Sequence, residues 1–221
     1  MTVGRVETSA FGLGGVDTIT TLEGNDFILG GHLGDFINAG NGDNVILGDD
    51  GAIDLTRFDR EGVTAGGDAS AADIDLITSL SSENAGGADV LTAGNGNDIL
   101  IGGRFGDTIR AGDGNNIVMG ESAVITAANE DAPRFGNQPI TIGRIETMTS
   151  GDGGVDELRG GSGQDILVGG AGSDRIDGGG GDLRVRDPPP SGEPAAAAPA
   201  AGRRDGRRRG RGPGPGGRRP D

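Results

Sequence analysis

Eleven acidic or amide side chains stand in phase along this 221-residue chain, and their spacing limits the chemistry open to them. Asp17, Asp26, Asp35 and Asn44 are nine residues apart. So are Asp89, Asp98, Asp107 and Asn116, and then Asp156, Asp165 and Asp174. Two residues after each comes an aliphatic: Ile19, Ile28, Ile37, Ile46, Leu91, Leu100, Ile109, Val118, Leu158, Leu167 and Ile176. Two residues before each comes Gly, except at Leu33 and Phe105. Carboxylate and amide oxygens on flexible glycine-rich turns are hard ligands. They suit Ca²⁺ better than Zn²⁺ or copper, and Mg²⁺ demands a tighter octahedron. A single Gly-x-Asp marks an ordinary surface turn whose aspartate caps its own backbone. Eleven copies in phase with an aliphatic point instead to metal ligation, by all eleven in-phase residues.

Such ligands need a scaffold that stacks them. Each nonapeptide reads as a turn, where glycine permits the backbone to fold tightly. A short strand follows, such as Phe27-Ile28-Leu29. The middle residue of a three-residue strand points opposite to its neighbours, which makes the in-phase aliphatic the inward one. Two nonapeptides make one coil of eighteen residues, so residues eighteen apart lie above one another. The expected bridging pairs are Asp17 with Asp35, Asp26 with Asn44, Asp89 with Asp107, Asp98 with Asn116, and Asp156 with Asp174. Asp165 has no partner inside its own block. One buried aliphatic per repeat contributes about 1.5–3 kcal/mol. Ordering costs about 1–2 kcal/mol per residue. The coil therefore needs a divalent cation to hold it and to offset the repulsion of its stacked carboxylates.

A longer period overlies the short one. The segment 22–49 matches the segment that begins at 93 with an offset of about 72 residues, and the lead-in segments 3–17, 74–91 and 142–158 also correspond. The chain thus divides into three blocks, about 1–53, 74–125 and 142–183. Because 72 is eight nines, the segments 54–72 and 126–140 are expected to continue the coil as longer excursions. Leu33 and Phe105 occupy the same place in the longer repeat and read as a plug at one corner.

The residues flanking each inward aliphatic differ by sheet. Phe27 and Leu29, Val45 and Leu47, Ile99 and Ile101, Ile117 and Met119, and Ile166 and Val168 are apolar, whereas the other set is mostly polar, with Val90 as an outlier. One sheet therefore carries an apolar outer face. The intervening segments, with Phe58 and Phe135, are expected to fold over it; the alternative is lateral association with other rolls.

GGSGQDILV (160–168) and GGAGSDRID (169–177) match the Gly-Gly-x-Gly-x-Asp-x-aliphatic-x nonapeptide, so the chain resembles the RTX family of secreted calcium-binding proteins. The match is degenerate at 24–48 and 94–120. The resemblance implies an all-β, right-handed parallel β-roll, a β-solenoid. It also implies several Ca²⁺ ions between stacked turns, held by the repeat Asp and backbone carbonyls, and folding after export to an extracellular or cell-surface location. Asn44 and Asn116, at ligand positions, and the replaced glycines at Leu33 and Phe105 depart from the pattern.

Composition excludes much else. There is no Cys, which removes disulfides, zinc–thiolate sites and cysteine catalysis. The chain has one His and no Lys, so no HExxH site, no Ser-His-Asp triad beyond His32 and no P-loop can be built. His32 reads as a solvated turn residue, and no enzymatic role is expected. No apolar run is long enough for a membrane span, and Thr2 to Ala10 shows no export signal. Residues 1–183 hold 9 Arg against 30 acidic residues, a net charge of −21 that calls for cations and argues against nucleic acid. Residues 184–221, rich in Pro, Ala, Gly and Arg, are expected to be a disordered tail. Because GGGGD (178–182) arrives one residue short of the period, the tail also reads as an out-of-frame end to a longer array. The functional expectation is calcium binding that drives folding and rigidity of an exported repeat protein, of structural or adhesin type. The alternatives are a solenoid surface that binds carbohydrate, such as cell-surface glycans, or its own kind, and a non-catalytic fragment of an RTX toxin or hydrolase.

Overall fold

The computed structural model describes residues 3–57, 73–81, 85–128, 135, 138–148, 153–181 and 183–185. Among these residues it is an all-β structure of seventeen short strands. None of its helices is long and apolar enough to cross a membrane. The proposed disordered tail lies outside the described residues, except that the last strand includes 184 and 185.

The strands that follow the in-phase residues alternate between two parallel sheets. One sheet holds β2 (Thr18–Thr20), β4 (Phe36–Asn38), β8 (Val90–Thr92), β10 (Thr108–Asp113), β14 (Glu157–Ser162) and β16 (Arg175–Gly180), paired in that order. The other holds β3 (Phe27–Leu29), β5 (Val45–Leu47), β9 (Ile99–Gly103), β11 (Ile117–Glu121), β15 (Ile166–Val168) and β17 (Leu183–Val185), again in order. Register follows the nonapeptide: Ile19 lies beside Ile37, eighteen positions on, and Ile28 beside Ile46. Between blocks the sheets continue without a gap, with Ile37 beside Leu91 and Ile109 beside Leu158. At the end the step shortens by one, because Ile166 pairs with Leu183. The missing residue in GGGGD is therefore absorbed as a seventeen-residue step.

The inward aliphatics form one core between these sheets, from Ile28 through Leu167, with Ile19 and Ile176 partly buried at the two ends. This is the inward assignment expected from strand parity. Leu33 and Phe105 do not plug a corner. Their backbones adopt φ of 74° and 72°, and their side chains are exposed. Their neighbours one coil further on are Gly87 and Gly154, where a Cβ would collide with the backbone at Leu33–Gly34 and Phe105–Gly106. A large residue and a glycine thus alternate along this corner, and the large one points to solvent.

The segments 54–72 and 126–140, expected to continue the coil, lie largely outside the described residues. The described residues flanking them form a third sheet, antiparallel throughout: β1 (Arg5–Glu7), β6 (Gly51–Asp54), β7 (Leu76–Ser79), β12 (Ala123–Ala127) and β13 (Ile142–Thr147). These flanking strands lack a glycine turn every nine residues and alternate apolar with polar instead. Val6, Ile53, Ile77, Ile125 and Ile145 pair in one continuous row across the sheet. Ile53, Ile77, Ile125 and Ile145 of that row, with Phe135, join the apolar outer face of the β3–β17 sheet in a second core. Val45, Leu47, Ile99, Ile101, Ile117 and Met119 are all fully covered there. The apolar face is thus covered, and only at the first coil does the cover fail, where Phe27 remains 37% exposed. Phe58 lies outside the described residues. On the opposite, solvent-facing sheet, Val90 sits beside the exposed Phe36, which accounts for both as a cross-strand apolar pair.

Ile77→Ala removes a fully buried side chain from the middle of the covering sheet, and we expect a loss of about 2–5 kcal/mol. Phe27→Ala, at the uncovered end, should cost much less. Denaturant unfolding of the two variants in calcium checks the difference.

Candidate metal centre

The turns between strands stack into two corners. Asp17, Asp35, Asp89, Asp107, Asp156 and Asp174 line the first; Asp26, Asn44, Asp98, Asn116 and Asp165 line the second. At the first corner the main-chain N–H of each aspartate donates to Oδ1 of the next one along the stack. Asp17 donates to Asp35 at 2.7 Å, Asp35 to Asp89 at 2.6 Å, Asp89 to Asp107 at 2.7 Å, Asp107 to Asp156 at 2.7 Å, and Asp156 to Asp174 at 2.9 Å. The second corner repeats this through Asp26 to Asn44 (3.1 Å), Asn44 to Asp98 (2.8 Å), Asp98 to Asn116 (2.9 Å) and Asn116 to Asp165 (2.8 Å). All five expected pairs are present. The stacks also run on between blocks, and Asp165, without a partner in its own block, receives Asn116 of the preceding one.

These side chains are buried from Asp35 through Asp165, half-buried at Asp26 and Asp174, and exposed at Asp17. One side-chain oxygen of each is occupied by the amide ladder, except at Asp17 and Asp26, which begin the two ladders as donors. The second oxygen, Oδ2, of Asp35, Asp89, Asp107 and Asp174 is buried without a hydrogen-bond partner. Its direction is marked by the glycines. A Cβ placed on Gly30 would lie 2.5 Å from Asp35 Oδ2 and would also collide with the Gly48 carbonyl of the next coil. The same convergence recurs at Gly48 with Asp89 and Gly102, and at Gly102 with Asp107 and Gly120. An anionic oxygen and a carbonyl oxygen aimed at one place, with no donor between them, constitute a setting for a cation. No group of three or more His, Cys, Asp or Glu converges among the described residues. The ligands would be single stacked carboxylates together with main-chain carbonyls, an all-oxygen set that fits Ca²⁺.

Electrostatics agree. Burial pushes the Asp107 carboxyl up to about 10, with the charges of Asp89, Asp156 and Asp49 adding to the rise against the pull of the Asp89 N–H. Asp89 is raised to about 8, chiefly by burial, and Asp98 to about 6 for the same reason. Asp35 is raised by burial as well.

The in-phase pattern does not point to three other functional side chains. Asp49 is buried and accepts the N–H groups of Gly87 (2.9 Å) and Arg104 (2.6 Å), which staples the point where the chain leaves for the covering sheet and returns. Burial raises it to about 7. Glu121, 72 positions later, is buried at the corresponding exit and accepts the Ala171 N–H at 2.6 Å. Their shared offset is the signal that could have found them. His32 is half-buried rather than solvated, and its Nδ1 accepts the Gly86 N–H at 3.1 Å.

The family model for the RTX calcium-binding nonapeptide repeat (four copies) matches residues 11–32, 34–52, 85–109, 92–122 and 150–182, together about half the chain. The chain belongs to the RTX calcium-binding repeat family. The stacked corners are its RTX turns, including the degenerate ones of the first two blocks. No curated protein and no solved structure matches the chain.

A pH dependence follows for the metal-free protein. Folded-state values of about 10, 8 and 6 for Asp107, Asp89 and Asp98 stand above the ordinary 3.8, so the fold binds protons that the unfolded chain releases. That contribution to stability is complete below 3.8 and is lost as pH rises through those three values. In chelator, β content and melting temperature should therefore rise on acidification from alkaline pH. Circular dichroism showing a monotonic loss of structure on the same path would contradict it.

Proposed function

We propose that this chain is a calcium-stabilised β-roll, a structural segment of an exported repeat protein that becomes rigid where calcium is plentiful. The supporting observation is the first corner: six stacked aspartates joined by a main-chain ladder onto the Oδ1 atoms of the last five, while Oδ2 of Asp35, Asp89, Asp107 and Asp156 faces a carbonyl of the next coil. A bound Ca²⁺ would supply positive charge between those oxygens. The chain's residues supply the rest: Asp35, Asp89, Asp107, Asp156 and Asp174 as carboxylate ligands, and Gly48, Gly102, Gly120 and Gly169 as carbonyls. Export fits a fold that needs calcium, because stacked carboxylates without a cation repel one another. Residues 1–183, at −21, add a general repulsion that divalent ions reduce. The role is spacing and rigidity rather than catalysis, since the in-phase carboxylates are committed to the stack. The solvent-facing sheet carries no repeated side-chain row; its outer line reads Thr18, Phe36, Val90, Thr108, Glu157 and Arg175. This disfavours a repetitive glycan- or surface-binding face.

Titrating calcium into the chelator-treated chain should produce a cooperative gain of β structure by circular dichroism, with a midpoint of about 10⁻⁴–10⁻³ M as in extracellular modules. Equal structure and equal melting temperature in chelator and in calcium would defeat the proposal.

A further inference from the structure

The two corners are not chemically alike. We infer that through the first two blocks calcium laces only the corner of Asp17, Asp35, Asp89 and Asp107, while the opposite corner is closed without metal by a ladder of side-chain amides. This rests on the calcium reading above and assigns it to one side of the roll.

The first observation is the residue that opens each turn. At the first corner it is glycine, at 30, 48 and 102, and carboxylate and carbonyl oxygens converge on the space where its Cβ would stand. At the second corner the corresponding residues, five before Asn44, Asp98 and Asn116, are Ala39, Ala93 and Ala111. They carry the methyl that the first corner excludes, and all three are buried in the inner core. Only in the third block does the second corner regain glycine. A Cβ on Gly160 would lie 2.5 Å from Asp165 Oδ2 and 2.7 Å from the Gly178 carbonyl.

The second observation is what fills the gaps. Each gap of the second corner pairs one carboxylate with one neutral amide. Asn44 Nδ2 donates to Asp98 Oδ1 and to the Gly42 carbonyl, both at 2.9 Å. Two oxygens that a cation would need are thereby taken by an N–H donor. Asp26 and Asp98 each keep an Oδ2 without a hydrogen-bond partner, so some negative charge remains, but half as many in-phase carboxylates stand there per gap.

The third observation is a second ladder, one residue earlier, that runs in the opposite direction. Asp43 N–H donates to Asn25 Oδ1 (2.9 Å), Asn97 N–H to Asp43 Oδ1 (2.7 Å), Asn115 N–H to Asn97 Oδ1 (3.2 Å), and Gln164 N–H to Asn115 Oδ1 (3.0 Å). The amides of Asn97 and Asn115 add side-chain bonds along the same line. Every gap is therefore tied from both sides. At the first corner the same positions in the first two blocks are Val16, Gly34, Ala88 and Gly106, which have no polar side chain; in the third block they are Val155 and Ser173. That corner has no amide ladder at those positions; its added ties are made by His32 to Gly86, Asp49 to Gly87 and Arg104, and Glu121 to Ala171, and the last two add carboxylate charge rather than replace a cation. The amide ladder holds coil register before calcium arrives, and calcium then closes the opposite seam.

The test uses the full chain, with bound calcium counted by equilibrium dialysis and folding at saturating calcium followed by circular dichroism. Asp107→Asn should lower the number of ions bound or raise the calcium midpoint at least about tenfold. Gly102→Ala, which gives the first corner the methyl of Ala93, should do the same. Asp98→Asn should leave both quantities unchanged and raise the melting temperature in chelator, because it removes a buried carboxylate. Asn97→Ala should lower that melting temperature without changing the ion count. Loss of as many ions in Asp98→Asn as in Asp107→Asn would overturn the inference, and this arm decides even if Asp107→Asn fails to fold. A wild-type chain with no saturable calcium binding would instead sink the calcium reading itself, so the two failures are distinguishable.

Discussion

Everything in this molecule depends on carboxylates being stacked in a column and buried there. A parallel coil brings equivalent residues into line, so an aspartate in one turn faces the in-phase aspartate or asparagine of the next. Hydrogen bonding uses one oxygen of each, since the amide of the preceding coil points at it. The other oxygen is left facing a carbonyl, and two acceptors cannot satisfy one another. Burial makes this worse, as the elevated values at Asp89 and Asp107 record. A proton relieves the conflict at low pH, and a divalent cation would relieve it near neutrality. A family of calcium-binding repeats is what this constraint produces.

The covering sheet changes the energetics. A roll of one aliphatic per nine residues, taken alone, gains too little from burial to offset the ordering of its backbone. Here one of its outer faces is apolar and is sealed by the antiparallel strands of the excursions, which creates a second core as continuous as the first. Those strands bury area without any metal. Asp49 and Glu121 stitch the junctions where the chain passes between roll and cover. In the proposed reading, calcium would act on a structure already supported on one flank, with its leverage at the turns.

Much of the site was legible in the sequence because its period is local. Nine-residue spacing sets which residues stack, so Asp17 with Asp35 and Asp89 with Asp107 follow from counting alone. The joins between blocks were not legible. Asp35 meets Asp89, and Asp107 meets Asp156, across unequal insertions, and no spacing rule distinguishes a coil that continues from one that leaves and returns. His32 was misread for the same reason: its partner, Gly86, lies on the far side of an excursion.

The sequence by itself determined the two-sheet repeat, the inward aliphatics, the turn glycines, the candidate ligands and the existence of an apolar face, because each depends on residues within a few positions of one another. Tertiary structure alone decided that the strands flanking the excursions form an antiparallel cover. It also decided that the two corners run unbroken through all three blocks, and that the turn alanines and asparagines share one corner while the glycines and aspartates share the other. The alanines are visible in the sequence as ordinary small residues. Their meaning appears only when the coil places them opposite glycines whose missing Cβ leaves room for oxygen to converge, since that space is formed by segments distant in the chain.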